Sequence, residues 1–401
     1  MKLHRVLIKA VVDCLDEIFN QGKYADKVIE QSLKSNPKWG ARDRAFIAEN
    51  TYEIVRNKRY LNYLLNEENE TEKINLEQLF SIYWYDKNQV FPENLEFNFL
   101  KSEIETRKVK ANKILKIKVS IPDWLDELGK IELGENWEKE ITALHQTAKV
   151  VLRANTIKST KIDLQRVLES ESIETIVHDV AADALILKER GNVFKSDAFK
   201  NGLFEVQDIS SQLVASFLAP TAGMRVVDAC AGAGGKTLHL SALMQNKGLI
   251  IAMDTGAWKL KELKKRAARA GSFNIETREI TSNKVIKRLA NTADRLLLDV
   301  PCSGMGVLRR NPDSKWKLSV DTIERTKIMQ AEIICNYATM LKIGGKMVYA
   351  TCSILPSENE RQVQNFLSKF PTEYKLIEEK KISPLETGFD GFYMALIERI
   401  K

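Results

Sequence analysis

Residues 226–240 read VVDACAGAGGKTLHL: an apolar run, an aspartate, then a glycine-rich turn that passes directly into a helical pattern. A strand, turn and helix in that order open a doubly wound α/β sheet, whose ligands bind beyond the strand ends. The spacing of the turn decides which ligand it suits. A nucleoside-triphosphate loop requires glycine five residues before Gly235, but position 230 is Cys230. A dinucleotide fingerprint begun at Gly232 fits Gly234 yet requires glycine or alanine at Thr237. Both readings fail. What is left is a turn at a helix N-terminus, whose unpaired amides suit a carboxylate.

Downstream of that turn, strand and helix alternate to the end of the chain. Strands are expected at 225–229, 249–254, 275–279, 295–299, 346–351 and 392–398. Helical patterns at 237–244, 259–270, 282–289, 320–341 and 357–370 separate most of them, which implies βαβ units and a parallel sheet. Asp254 closes the second strand, where a carboxylate accepts hydrogen bonds from ribose hydroxyls. Together with the glycine turn it fits S-adenosylmethionine, with the amino-acid end over the turn and the ribose against Asp254.

Upstream, residues 1–115 read as helices, with apolar residues at helical spacing through 6–19 and 46–65. A charged break, NEENETEKI at 66–74, interrupts them, and basic residues cluster at 101–118. From about residue 121 a short helix leads to strands near 150–154, 174–177 and 184–187 and a helix near 162–169. The organisation expected is therefore a helical domain (1–115), a small α/β module (116–208) and the sheet domain (209–401). The 401 residues carry a net charge of +7. That is mildly basic, and a polyanion such as nucleic acid is a fair partner. Acidic residues interrupt the N-terminal apolar pattern, and no apolar run reaches the roughly 18 residues of a membrane span. A cytoplasmic protein is expected.

Two further loops carry the chemistry. LLLDVPCSGMGVLRRNPDSKW (296–316) and MVYATCSILPSENER (347–361) each place a cysteine, Cys302 and Cys352, just beyond a strand and just before a serine. Five cysteines with no CxxC pair make neither a disulfide scaffold nor a zinc site, and the four histidines show no ligand spacing to them. Cys14 and Cys335 lie in helical apolar patterns and read as core residues.

DACAGAGGKT, DVPCSGMGVLRRNPDSKW and YATCSILPSENE resemble the motifs of the RNA cytosine-C5 methyltransferases of the RsmB/Sun and NSUN family. LRANTIK (152–158), VQDISSQL (206–213) and DGFYMALI (390–397) extend the likeness from about residue 120 to the end. RDRAFIAENTYEIVRNKRYL is similar to the NusB-like RNA-binding domain of the bacterial ribosomal branch. The resemblance implies a Rossmann-like, S-adenosylmethionine-dependent domain that methylates C5 of a cytosine in RNA. Small-subunit ribosomal RNA ranks first as target, ahead of transfer RNA and ahead of a non-catalytic ribosome-assembly factor. From the cysteine spacing and the short apolar runs, no metal and no membrane partner are expected, and a monomer is expected.

C5 of cytosine is too electron-poor to attack a methyl sulfonium until a thiolate has added at C6. The resemblance makes Cys352 that nucleophile and gives Cys302 the release of the adduct. The residues alone leave the two roles open, because DNA cytosine methyltransferases use the proline-cysteine thiol for attack. Asp299 is expected at the N3/N4 edge of the base, and Lys236 beside it as the cation that assists a thiol. Cofactor contacts are expected from Cys230, Ala231, Gly232, Ala233, Gly234, Gly235, Lys236, Asp254, Glu279 and Asp299, and RNA contacts from Arg153, Asn155, Asp208 and Arg309. Two positions depart from the family: Ala233 stands where proline is usual, and Glu279 where aspartate is.

Overall fold

Eleven strands fall among the residues described by a computed structural model, 3–66, 75–92, 95 and 100–401. The first four are β1 (Val151–Ala154), β2 (Thr175–Val177), β3 (Ala184–Leu187) and β4 (Phe204–Val206). They form an antiparallel sheet in the order β2-β3-β1-β4. The other seven are β5 (Arg225–Asp228), β6 (Leu249–Asp254), β7 (Ile275–Glu279), β8 (Ala293–Asp299), β9 (Leu341–Thr351), β10 (Tyr374–Ile382) and β11 (Phe392–Arg399). Their order is β10-β11-β9-β8-β5-β6-β7. Neighbours from β9 through β7 pair in parallel, while β11 and β10 are antiparallel. The doubly wound, mostly parallel sheet is the one expected.

Alternation of side chains explains why these segments are strands. Val227, Ile251, Leu296 and Leu298 enter one core, and Val226, Ile250, Leu297 and Val348 enter the other. Both faces are covered, so the strands read as unbroken apolar runs. Two strands were absent from the sequence reading. β4 has only three residues. β10, YKLIEEKKI, buries only Tyr374 and Ile382, so its charged exposed residues mask an edge strand.

The chain divides into two compact units: residues 1–146 with 308–320, and residues 147–307 with 321–401. The helical unit therefore extends beyond the expected limit at 115. The helices Asp123–Leu133 and Trp137–His145 belong to it, with Trp137 buried against Gly129 and its Nε1 donating to Asp126 at 2.8 Å. The stretch 46–65 is two helices, Ala41–Arg56 and Lys58–Asn66, parted at Asn57. Most of the charged break at 66–74 lies outside the described residues. Residues 308–320 follow the Cys302 loop in sequence yet are built into the helical unit. There Lys315 Nζ donates to the Arg56 carbonyl at 2.8 Å, and Trp316 Nε1 to that of Val55 at 2.8 Å.

Candidate active site

The strand order reverses at β5, whose neighbours β8 and β6 lead away in opposite directions, and the loops beyond these strands meet there. Asp228 ends β5 fully buried and accepts from Thr237 Oγ1 at 2.7 Å. Burial pushes its carboxyl up to about 7, against that hydrogen bond. The turn after it is held from two sides. Ala231 N donates to the Met253 carbonyl at 2.8 Å, and Gly232 N to Asp254 Oδ2 at 2.9 Å.

Glycine is required at 234 by its φ of +89° and by Leu263, whose Cγ lies 2.6 Å from where a Cβ would stand. The reason is packing within the protein, not the approach of a ligand. At Gly232, also at positive φ, a Cβ would meet nothing within 4 Å, so this part of the turn borders open space. Arg266 Nη1 fixes the Ala233 carbonyl at 2.9 Å, which supports the turn where the usual proline is absent. Burial, reinforced by Asp228, Asp299 and Asp254, pushes the Cys230 thiol well up.

Asp254 is buried at the end of β6, and its Oδ1 accepts from Gly256 N at 2.7 Å with Lys259 Nζ at 3.3 Å. Both of its oxygens therefore already hold backbone. Glu279 pairs with Asp254 in the β6/β7 register and stands exposed at the sheet end.

The parallel register of β8 and β9 sets Asp299 opposite Ala350, so the two cysteine loops leave the sheet at one level. Their sulfurs lie 3.2 Å apart. The hydrogen bond to Cys352, then burial and the nearby Glu358, raise the Cys302 thiol well above its ordinary value. Lys236, in the first turn of the helix Gly235–Leu243, donates to Asp299 Oδ2 at 2.6 Å. Burial works against its charge, but Asp299, Cys352 and Asp228 outweigh that and hold the ammonium above its usual range.

The serines after the cysteines explain the doubled Cys-Ser pattern, which the sequence posed without answering. Ser303 Oγ and Ser353 Oγ approach to 3.3 Å, and Ser303 N donates to Glu358 Oε1 at 2.8 Å. Ser303 Oγ donates to the other oxygen of Glu358, and Gln330 Nε2 to Oε1 at 3.2 Å. Glu358 is wholly buried and ties the first cysteine loop to the second. Sequence reasoning missed it, although it lies inside the quoted stretch. Gly306 completes the clamp: its N donates to the Cys352 carbonyl at 2.9 Å, and a Cβ there would stand 2.0 Å from the Gly391 carbonyl oxygen.

The four residues expected at the RNA are each buried and hold other parts of the chain. Arg153 Nη1 donates to the Gly235 carbonyl at 2.7 Å and to Gln207. Asn155 Nδ2 bridges the carbonyls of Gly202 (2.8 Å) and Ala270 (2.7 Å). Asp208 caps the helix Ile209–Leu218 through Ser210 N at 2.9 Å. Arg309 belongs to the helical unit, where Nε and Nη2 both donate to the Ala143 carbonyl at 2.9 and 2.8 Å. Among the described residues no group of three or more His, Cys, Asp and Glu is placed to hold a metal ion, and no helix is long and apolar enough to cross a membrane.

The chain is similar to known proteins over both of its strand-bearing regions. Residues 215–398 match the family model described as 16S rRNA methyltransferase RsmB/F, and residues 121–194 match the RsmF/B-like ferredoxin-like domain. The ribosomal RNA small subunit methyltransferase B of Vibrio cholerae is 35% identical over 69% of this chain and 65% of its own length, so the match spans just under two thirds of that relative. A Bacillus subtilis protein named probable ribosomal RNA small subunit methyltransferase B is 28% identical over 97% of both chains. The structure titled NSun6 from Pyrococcus horikoshii with SFG superposes with a TM-score of 0.64 at 21% identity, over 70% of this chain and 98% of that one. On the two matched domains and the sheet that carries the paired thiols, the chain belongs to the RsmB/F methyltransferase family.

Proposed function

We propose that this protein methylates C5 of a cytosine in small-subunit ribosomal RNA through a covalent adduct between Cys352 and C6 of the base. The observation that carries the reading is the 3.2 Å approach of Cys302 and Cys352 at the ends of two parallel strands, beside the Lys236–Asp299 ion pair. S-adenosylmethionine is the methyl donor, and its sulfonium supplies an electrophilic methyl group. The open space over Gly232, the carboxylate of Asp254 and the exposed Glu279 fit its amino-acid, ribose and adenine ends respectively. SFG, found with the archaeal neighbour, is an analogue of that donor. The ribosomal target is taken from the names of the bacterial relatives.

The residues divide the work by charge. The raised Cys302 thiol keeps its proton and donates it toward the Cys352 sulfur, which leaves Cys352 as the sulfur free to attack C6. Attack turns the ring into an enamine whose C5 is nucleophilic. Asp299, held by Lys236, faces the N3/N4 edge and stabilises the charge that develops there. After methyl transfer the C5 proton passes to solvent water, the electron pair of its bond re-forms the C5–C6 double bond, and the C6–sulfur bond breaks with its pair on Cys352, which leaves as the thiolate; the hydrogen bond from the Cys302 thiol eases that departure.

The two cysteines therefore have opposite phenotypes. Cys302→Ala, incubated with 30S ribosomal RNA and S-adenosylmethionine, accumulates an RNA-linked species that survives denaturing electrophoresis. Cys352→Ala yields neither that species nor 5-methylcytosine. An adduct from Cys352→Ala alone would reverse the roles, and identical behaviour of the two variants would end the two-thiol scheme. Transfer RNA as the only methylated fraction would overturn the ribosomal target while leaving the chemistry intact.

A further inference from the structure

The helical unit holds a cleft of about 420 Å³ that the reaction does not use, walled by Lys58, Arg59, Asn62, Asp123, Trp124 and Trp316. It joins two motifs that the sequence sets far apart, NKRYLN of the helical region and the DSKW tail of the proline-cysteine motif. Its polar groups are unequally used. Arg59 Nη1 is committed to Asp123 and to the Ile121 carbonyl, each at 2.7 Å, and Lys116 Nζ also reaches Asp123 at 2.8 Å. Two cations therefore share one carboxylate, which Lys116 and Arg59 hold below the usual range.

Lys58 has no such partner. It makes no hydrogen bond or ion pair among the described residues, and neither does the Asn62 carboxamide. The Lys58 ammonium lies 4.5 Å from the Phe19 ring centroid and 5.3 Å from that of Trp316, and burial lowers its pKa. Ring faces offset part of the desolvation of an ammonium but carry no net charge. The cleft thus offers an uncompensated cation, a spare amide and two half-buried indoles, one of them fixed by the Trp316 Nε1 bond to Val55.

We propose that this cleft seats one unpaired nucleotide of the RNA substrate, its phosphate at Lys58 and its base stacked on an indole. The proposal rests on RNA being the substrate. A phosphate supplies the missing anion, an indole face stacks on any base, and Asn62 reaches ring or sugar polar atoms. An acidic peptide would satisfy Lys58 but leave the indole faces without a planar partner.

The test is equilibrium binding of a fluorescein-labelled single-stranded RNA dodecamer to the full chain, by anisotropy across a salt series. Lys58→Gln weakens binding about fivefold or more and lowers the slope of log K against log salt by about 0.7, one phosphate's share on a single strand. Trp124→Leu weakens it about 5- to 100-fold with the slope unchanged, as loss of a stacked base requires. Far-ultraviolet circular dichroism and urea unfolding check that both variants keep the parent's helical unit folded. Parental RNA affinity and slope in folded Lys58→Gln would overturn the proposal, and so would unchanged RNA binding with lost binding of polyglutamate. If the parent binds no RNA at all, the substrate reading itself fails, which these variants cannot mimic.

Discussion

Glu358→Ala is the substitution that most directly tests how the two thiols are held together. The side chain accepts from Ser303 N (2.8 Å), from the Ser303 hydroxyl and from Gln330 Nε2 (3.2 Å), with no solvent exposure. Truncation leaves the Ser303 hydroxyl with Ser353 Oγ, and Gln330 keeps the Pro301 carbonyl at 2.9 Å. Two donors lose their acceptor outright, the Ser303 amide and one Gln330 N–H. At about 1–3 kcal/mol for each buried unsatisfied donor, the loss is on the order of 2–6 kcal/mol, at the low end if water enters the space. Glu358→Gln keeps an acceptor for the amide and costs about 1 kcal/mol.

Urea unfolding measures these differences, and oxidation of the thiol pair by diamide measures the geometry. From 3.2 Å the sulfurs need little movement to reach a bond length of about 2.05 Å, so the parent closes a Cys302–Cys352 disulfide readily. Glu358→Ala lets the first loop drift and slows closure several-fold, while Glu358→Gln stays near the parent. A Glu358→Ala protein that loses less than about 1 kcal/mol and oxidises at the parental rate would refute the role given to this carboxylate.

Three other substitutions address the opposite wall of the site. Burial raises Asp228 to about 7, so the folded state keeps a proton that the unfolded chain has released. Its contribution is complete below about pH 4 and lost as pH rises through 7; Asp228→Asn therefore gains stability relative to the parent from pH 4 to 8, by a margin on the order of 4 kcal/mol in urea unfolding. Gly234→Ala forces a Cβ onto Leu263 at positive φ and costs about 2–4 kcal/mol, of which Leu263→Ala in the same chain recovers the steric part. Asp254→Asn has one acceptor for the Gly232 and Gly256 amides where the parent has two, so calorimetry reads S-adenosylmethionine affinity lower by about 1–3 kcal/mol.

Legibility in the sequence followed burial. Strands β5, β6, β8 and β9 announce themselves because side chains such as Val226, Val227, Leu296 and Leu297 face apolar cores on either side. β10 does not, since an edge strand studded with glutamate and lysine has the composition of a solvated loop. Cys302, Cys352, Asp299 and Lys236 were legible because each stands beside a strand end or a glycine turn, and the structure brings all four together. The internal bonds of Arg153, Asn155, Asp208 and Arg309 were not legible, for the converse reason. Their side chains look suited to RNA, but all four are under 7% exposed and hold backbone carbonyls or amides. Residue type does not reveal whether a polar group meets a ligand or a neighbouring turn; only the path of the chain does.

The charges at the centre bear on when the nucleophile forms. Lys236 and Asp299 neutralise one another, and Asp228, with a carboxyl raised to about 7, holds a proton at and below neutrality. Cys352 lies close enough to help hold the Lys236 ammonium charged, while the hydrogen bond of that ammonium goes to Asp299. A thiolate in a buried setting is costly unless a cation stands close. The glycine turn and Lys236 are consecutive in the chain, so a cationic group carried by the turn lies on the same helix end as the ammonium that faces the thiols. On the proposed reading, attack by Cys352 is favoured when the methyl donor is seated, because its sulfonium would add positive charge at the helix end that carries Lys236. On that reading the thiols draw their positive charge from Lys236 at a helix N-terminus, where the backbone dipole adds to it, and not from a histidine.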